Sequence, residues 1–143
     1  MARQGIAPDA RQAERGVAML DRQRVLVQDE LQTEKPADVW WFMHTEAKVE
    51  LDATGTTATL QRGGKRLSAR ILSPGAAKFT VAKAEPLPGS PVPAKQANND
   101  RYRKLTIHLT DVKELRLAVV FAPLASGDKD ARSTDQVVPL AAW

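Results

Sequence analysis

The chain has 143 residues, the length of one ordinary domain, and 43% of them are hydrophobic, so it can fold around a core. It contains no cysteine, which excludes disulfides, CxxC redox motifs and thiolate zinc sites. The formal net charge of +4 comes from basic residues scattered along the chain, a pattern that does not indicate nucleic-acid binding but suits an acidic partner.

The start of the chain shows no export or membrane signal. Residues 1–15 lack the apolar core of a signal peptide, and no stretch approaches the roughly 20 apolar residues of a membrane helix. We therefore expect no membrane contact. The first fifteen residues are polar without a clear period, and we predict that they form a tail or a short helix.

From Gly16 the hydrophobic pattern has a period of two, which is typical of β-strands. The predicted strands, in chain order, are 16–21, 24–31, 39–51 as one long strand or a broken pair, 57–62, 65–73, 78–83, 103–109 and 115–121. Gly63 and Gly64 predict a two-residue hairpin turn, because such turns require positive φ angles. Residues 33–38, which contain Pro36, are predicted to be a loop, and residues 111–113 a turn.

Two further segments are predicted to be mostly loop. Residues 85–101 hold four prolines, which cannot donate hydrogen bonds to a strand ladder. Residues 124–143 show only a short apolar patch at Val137 and Val138.

About nine short strands separated by turn signals predict an all-β fold, an antiparallel two-sheet β-sandwich. The predicted organisation is a tail or short helix at 1–15, a β-sandwich domain at 16–124 and a C-terminal segment at 125–143. Clean alternation in two neighbouring strands predicts that Leu105, Ile107, Leu117 and Val119 are core residues.

The strand that begins at residue 39 is apolar on both faces. Trp40 and Phe42 lie on one face, and Trp41 and Met43 lie on the other. In an antiparallel sandwich one sheet face normally meets water. Either another segment of the chain covers the second face, or it contacts a partner domain or a second copy. We predict that one of the two pairs is partly exposed.

The order of several short segments resembles the C-terminal β-sandwich region of the heparinase II/III-type polysaccharide lyases. The segments are 15–17 (RGV), 24–31 (RVLVQDEL), 40–45 (WWFMHT), 63–65 (GGK), 71–79 (ILSPGAAKF), 85–91 (EPLPGSP) and 103–109 (RKLTIHL). Together they extend over residues 14–124, and none of them is a catalytic signature by itself.

The resemblance implies a domain that packs against the catalytic α-helical toroid and further sandwich layers of a parent lyase. Such enzymes cleave acidic, uronate-containing polysaccharides by β-elimination, in which a base and an acid, usually tyrosine and histidine, move the protons. It also implies a periplasmic or secreted protein. Because this chain has no helical region long enough for a toroid, we expect no lyase activity from it alone and assign no catalytic residue.

Four residues are candidates for contact with a glycan. Trp40 and Trp41 could stack on sugar rings, although at least one of them is expected in the core. Tyr102 and Arg103 lie next to the proline-rich segment in a run of basic residues, where the simpler interpretation is a solvated start of a strand.

Asp29 shares the apolar face of its strand with Val25, Val27 and Leu31. A carboxylate there needs a partner, either in a salt bridge or hydrogen bond or as a metal ligand. The resemblance implies a structural zinc ion, which relatives hold through histidines and an aspartate, and Asp29 and His44 lie on strands where such ligands would sit. Since two ligands do not make a zinc site, we expect no required cofactor and keep the structural zinc as an alternative.

Three functional hypotheses follow, all with an acidic polysaccharide as partner and none with nucleic acid. The first is a non-catalytic accessory domain of a lyase, and the second is a free-standing carbohydrate-binding module. The third is a small lyase. A broad apolar patch would favour the first, and a surface with exposed aromatic side chains the second. A His/Tyr/Arg group in a concave site would favour the third.

Overall fold

Seven antiparallel β-strands make up most of the computed structural model, which describes residues 10–84, 101–125 and 136–143. The strands are β1 Ala10–Leu20, β2 Arg24–Thr45, β3 Lys48–Leu51, β4 Thr57–Arg62, β5 Lys65–Ser73, β6 Phe79–Lys83 and β7 Arg103–Leu124, followed by a single 3-10 turn at Leu140–Ala142. Within the described ranges, no helix has the length and apolar character needed to cross a membrane.

The strands pair in the order β1-β2-β7-β5-β4-β3, and β6 pairs with the part of β7 that β5 does not reach. This confirms the prediction of an all-β antiparallel fold. The described strands form one connected sheet, so the predicted division into two sheets is not confirmed.

The strands β2 and β7 are each 22 residues long and pair with each other over most of that length. They run through residues 33–38 and 111–113, so the predicted loop and turn are wrong, and the described residues form seven strands where about nine were predicted for the chain. The pairing register shifts on either side of Ala37, and Asp111 has a φ of 54°. Bulges of this kind bend a strand without ending it and accommodate a proline such as Pro36.

Two local predictions have different outcomes. Strand β1 begins at Ala10, which corrects the prediction of a tail or short helix for residues 10–15; residues 1–9 lie outside the described part of the chain. The hairpin at Gly63 and Gly64 is confirmed, with φ angles of 58° and 76° and with Arg62 paired to Lys65.

The bend in β2 and β7 brings both halves of the sheet onto one hydrophobic core. The buried members of the core are Trp41, Ala58, Leu60, Ala69, Ile71, Ala77, Phe79, Leu105, Ile107, Leu115, Leu117 and Val119. The predicted core residues Leu105, Ile107, Leu117 and Val119 are confirmed, because each is at most 2% exposed.

The C-terminal residues 136–143 pack on the face of the sheet that points away from the main core, over a small cluster of Leu26, Ala118 and Val120. Gln28 Nε2 donates a hydrogen bond of 2.7 Å to the carbonyl oxygen of Val138. At Gly16 a Cβ atom would lie 2.5 Å from Leu140 Cδ2, so only glycine leaves room for this segment. The segment is therefore part of the folded domain. Residues 85–100 of the predicted proline-rich loop lie outside the described residues.

Candidate functional site

One face of the sheet presents aromatic and charged side chains away from the core. In β2 the side chains of Trp41 and Met43 point to the core, so their neighbours Trp40 and Phe42 point outward. The same alternation applies to β7. We call this surface the outer aromatic face; its residues are Asp38, Trp40, Phe42, His44, Lys104, Thr106 and His108.

Pairing between β2 and β7 places these side chains side by side. Trp40 lies directly opposite His108, and the two rings stack with centroids 3.6 Å apart and planes 7° apart. Phe42 stacks on Trp40 with centroids 5.9 Å apart. Trp40 remains 42% exposed. The prediction that one of the two apolar pairs is partly exposed is therefore confirmed for the pair of Trp40 and Phe42.

Charged groups border these rings on both sides. Lys104 Nζ lies 4.5 Å from the ring centroid of Phe42, within the range of a cation–π interaction, and Lys104 as a whole is buried. His108 Nε2 lies 3.5 Å from Asp38 Oδ2. His44 is exposed and pairs with Lys104 in the register. The face therefore combines an aromatic centre with polar groups that can exchange hydrogen bonds.

This combination of groups is suited to a sugar. The C–H groups on one face of a pyranose ring carry a small positive charge and stack on the electron-rich face of an aromatic ring. Hydroxyl groups at the rim of the sugar can then exchange hydrogen bonds with Asp38 and with exposed histidines. A sheet face binds such a ligand from one side and leaves its other side open.

The other residues predicted to contact a glycan lie elsewhere. Trp41 is 6% exposed and packs in the core, with its ring centroid 6.3 Å from that of Phe79. Tyr102 is half-buried immediately before β7, and the guanidinium of Arg101 lies 5.2 Å from its ring centroid. Arg103 begins β7, and its Nη1 donates to the carbonyl oxygen of Tyr102 at 3.3 Å. Of the four, only Trp40 belongs to the outer aromatic face.

The structure does not bring the two predicted metal ligands together. Asp29 accepts two hydrogen bonds from Arg15, of 2.6 Å and 2.8 Å, and these raise the pKa of Arg15. This salt bridge is the partner that a carboxylate on an apolar face requires. His44 lies in the other half of β2, beyond the bulge. Within residues 10–84, 101–125 and 136–143, no three His, Cys, Asp or Glu side chains group as metal ligands would.

Sequence reasoning missed His108 and Phe42 as members of the site. Both lie at alternating positions in predicted strands, but the register between β2 and β7 was not predicted, and only the register sets Trp40 opposite His108. The signal that could have found them is the apolar positions 41, 43, 105 and 107. If the two strands are assumed to pair antiparallel, these positions mark the core face, and the residues between them must share the outer face.

No family model and no curated protein matches this chain. Among solved structures it is similar to the heparan sulfate lyase HepC from Pedobacter heparinus, with a TM-score of 0.67 and 12% sequence identity. The match covers 86% of this chain but only 19% of that chain. The likeness shows that the two proteins share a β-fold, and this chain spans about a fifth of the length of the lyase.

Proposed function

We propose that this chain is an accessory β-sandwich domain of an acidic-polysaccharide lyase and that its outer aromatic face contacts the glycan. The observation that carries the proposal is the exposed stack of Trp40 on His108, because a rigid aromatic surface suits the apolar face of a sugar ring. The shared fold with part of a heparan sulfate lyase supports the choice of a uronate-containing glycan. The parent protein would act by β-elimination in the periplasm or outside the cell.

An apolar strip on β1 supports the role as a packing domain. Val17 and Met19 are 64% and 71% exposed, and they pair with Val27 and Val25 on the same face of β2. Exposed apolar surface of this kind is usually retained where another domain covers it. In the proposal, the further sandwich layers of the parent lyase pack here, and its α-toroid supplies the catalytic cleft.

The proposal excludes cleavage by this chain alone. β-Elimination requires a base at the proton next to the uronate carboxyl group and an acid at the leaving oxygen, both within hydrogen-bond reach of one bound sugar. On the outer aromatic face, Asp38, Trp40, His44 and His108 are exposed, whereas Lys104 and Thr106 are buried; in the proposal the exposed residues orient a ligand without enclosing it. The one tyrosine of the chain, Tyr102, lies before β7 with its ring next to Arg101.

A free-standing carbohydrate-binding module is the second candidate. The same exposed Trp40 favours it, because a module needs no more than one accessible aromatic face with polar groups around it. The two candidates differ in the apolar strip at Val17 and Met19, which only the accessory domain uses.

Titration of the chain with heparan sulfate, alginate and uncharged xylan in a calorimeter tests the proposed site. Trp40→Ala should weaken binding of the acidic glycans about tenfold, equivalent to about 1.4 kcal/mol. Trp143→Ala is the matched control, because Trp143 is 48% exposed and lies beside Gly16 of β1, next to the half of β2 that does not contain Trp40. Equal losses in the two variants would contradict the site. Tighter binding of xylan than of either acidic glycan would favour the module.

A lyase assay tests the accessory role. The chain is incubated with the same acidic glycans, and absorbance of the unsaturated uronate product is followed. We expect no increase. A steady increase that Tyr102→Phe or His44→Ala abolishes would replace the accessory role with that of a small lyase.

A further inference from the structure

The end of the sheet opposite the bulges in β2 and β7 concentrates basic side chains of the described residues. We call it the basic end; its residues are Lys48, Arg62, Lys65, Lys83, Arg101 and Arg103. Arg103 lies between Thr45 of β2 and Lys83 of β6 in one register row, and salt bridges of Glu46 join Arg62 to Arg101. Arg62 and Lys65 flank the hairpin of β4 and β5.

A shared carboxylate links two of these cations. Glu46 forms salt bridges with Arg62 through Oε2 and with Arg101 through Oε1, the second at 2.8 Å. The Glu46 side chain is 16% exposed, whereas those of Arg62 and Arg101 are 70% and 73% exposed. Glu46 thus holds two guanidinium groups near one another, and the group of three side chains has a net charge of +1. Both guanidinium side chains present most of their surface to solvent.

Two pairs of basic residues occupy directly opposed positions in the basic end. Lys83 lies directly opposite Arg103, and Lys65 lies directly opposite Arg62. Like charges in directly opposed positions destabilise a sheet, so such pairs suggest a function other than folding. Among the described residues, Glu46 and Glu50 are the carboxylates placed in this group, and Glu50 forms a 3.1 Å salt bridge with Lys48. Counted over the described residues, the basic end therefore holds more cations than carboxylates.

We propose that the basic end binds the sulfate or carboxylate groups of a polyanionic glycan, with Arg62 and Arg101 as its centre. Guanidinium groups bind such anions through paired, charge-assisted hydrogen bonds. An anion that approaches Arg62 and Arg101 from solvent meets two guanidinium groups already oriented by Glu46. This surface acts by charge, in contrast to the stacking on Trp40. The choice of a glycan among polyanions rests on the proposed function, whereas the binding of anions does not.

The basic end lies next to the outer aromatic face along β2 and β7. Arg103 of the basic end directly precedes Lys104 of the outer aromatic face, and by alternation its side chain lies on the other face of β7, the face of Leu105. Trp40 is five residues from Thr45, or about 17 Å along an extended strand. A glycan chain of several sugars is therefore long enough to reach from Trp40 to this end of the sheet, where it would meet the basic end around the edge of β2 and β7.

Heparin binding by the full chain, measured by calorimetry at several salt concentrations, tests this surface. The double variant Arg62→Gln/Arg101→Gln should bind about tenfold more weakly at low salt and show a shallower dependence of affinity on salt. The matched control is Arg11→Gln/Lys35→Gln, which removes the same charge from exposed residues near the bend and should bind like the wild type. Equal losses in both doubles would show that binding follows net charge alone and would overturn the proposal.

Two further variants keep the test decisive. Glu46→Gln should raise heparin affinity several-fold, because it removes the competing negative charge while the amide oxygen can still accept a hydrogen bond from an arginine; an unchanged affinity would contradict the arginine pair as the centre. Lys65→Gln/Lys83→Gln tests the same surface without altering the contacts of Glu46, and it should also weaken heparin binding. It replaces Arg62→Gln/Arg101→Gln if that double variant does not fold.

The outcomes separate this inference from the proposed function. Loss of heparin binding in Trp40→Ala but not in Arg62→Gln/Arg101→Gln would retain the outer aromatic face and overturn the basic end. The reverse result would retain the basic end and overturn the outer aromatic face. Tighter binding of double-stranded DNA than of heparin at the same salt concentration would overturn the assignment to a glycan.

Discussion

The imidazole of His108 lies flat on the indole of Trp40, with planes 7° apart across the pairing of β7 and β2. Asp38 approaches the same imidazole from its Nε2 side. His108 therefore covers one face of the indole and holds Trp40 in one orientation, and a ligand that contacts the exposed part of Trp40 does not have to order the indole first.

We predict that His108→Ala weakens glycan binding several-fold through the orientation of Trp40. In a Trp40→Ala background the same change should have little further effect, because the two residues act as one unit. Thr110→Ala, an exposed position two residues further along β7, should not alter affinity. Calorimetry of the four combinations of His108 and Trp40 measures the coupling; additive losses would mean that His108 contacts the glycan independently.

Leu117→Ala should lower the free energy of unfolding by about 2–5 kcal/mol. Leu117 is 2% exposed in the main core and lies directly opposite Asp29 of β2. Truncation of its side chain to alanine therefore leaves a cavity. Lys113→Ala, an exposed change on the same strand, should stay within about 0.5 kcal/mol. Urea unfolding of both variants checks the difference, and similar small effects would place Leu117 outside the core.

Stability should depend on pH through Glu30. Arg116 donates to Glu30 at 2.7 Å and the backbone N–H of Leu140 donates at 3.0 Å, and these bonds hold the pKa of Glu30 below its usual value. Because the pKa is lower in the folded than in the unfolded state, the carboxylate stabilises the fold above the unfolded pKa of about 4.3. This contribution is lost as the pH falls through the folded pKa.

The measurement is urea unfolding of the wild type and Glu30→Gln between pH 7 and pH 3. The wild type should be more stable than Glu30→Gln at pH 7, and the difference should shrink as the solution is acidified. Glu50→Gln removes an exposed carboxylate and serves as the control. A difference that stays constant over the whole range would contradict this role of Glu30.

Removal of metal should leave the fold unchanged. Asp29 already accepts two hydrogen bonds from Arg15, and a zinc ion at this carboxylate would have to displace that guanidinium. We expect a chelator not to change Tm, and Asp29→Asn to lower stability by about 1 kcal/mol through loss of the salt bridge. Arg15→Gln should give a similar loss. A chelator-dependent fall in Tm that Asp29→Asn abolishes would restore the structural zinc.

The sequence by itself determined the strand pattern and the core face. Alternation with a period of two follows directly from the geometry of a strand, so Leu105, Ile107, Leu117 and Val119 were identifiable as core residues without any tertiary contact. The glycine pair at 63–64 determined its hairpin for an equally local reason, since only positive φ angles close that turn.

Only the tertiary structure decided how the strands continue and which side chains meet. Pro36 and Asp111 resemble turn residues locally, yet pairing between β2 and β7 carries both strands through them as bulges. The stack of Trp40 on His108 joins residues 68 positions apart, and Glu46 joins Arg62 to Arg101 across three separate strand ends. Such contacts depend on strand register, which long-range packing sets and no local pattern encodes.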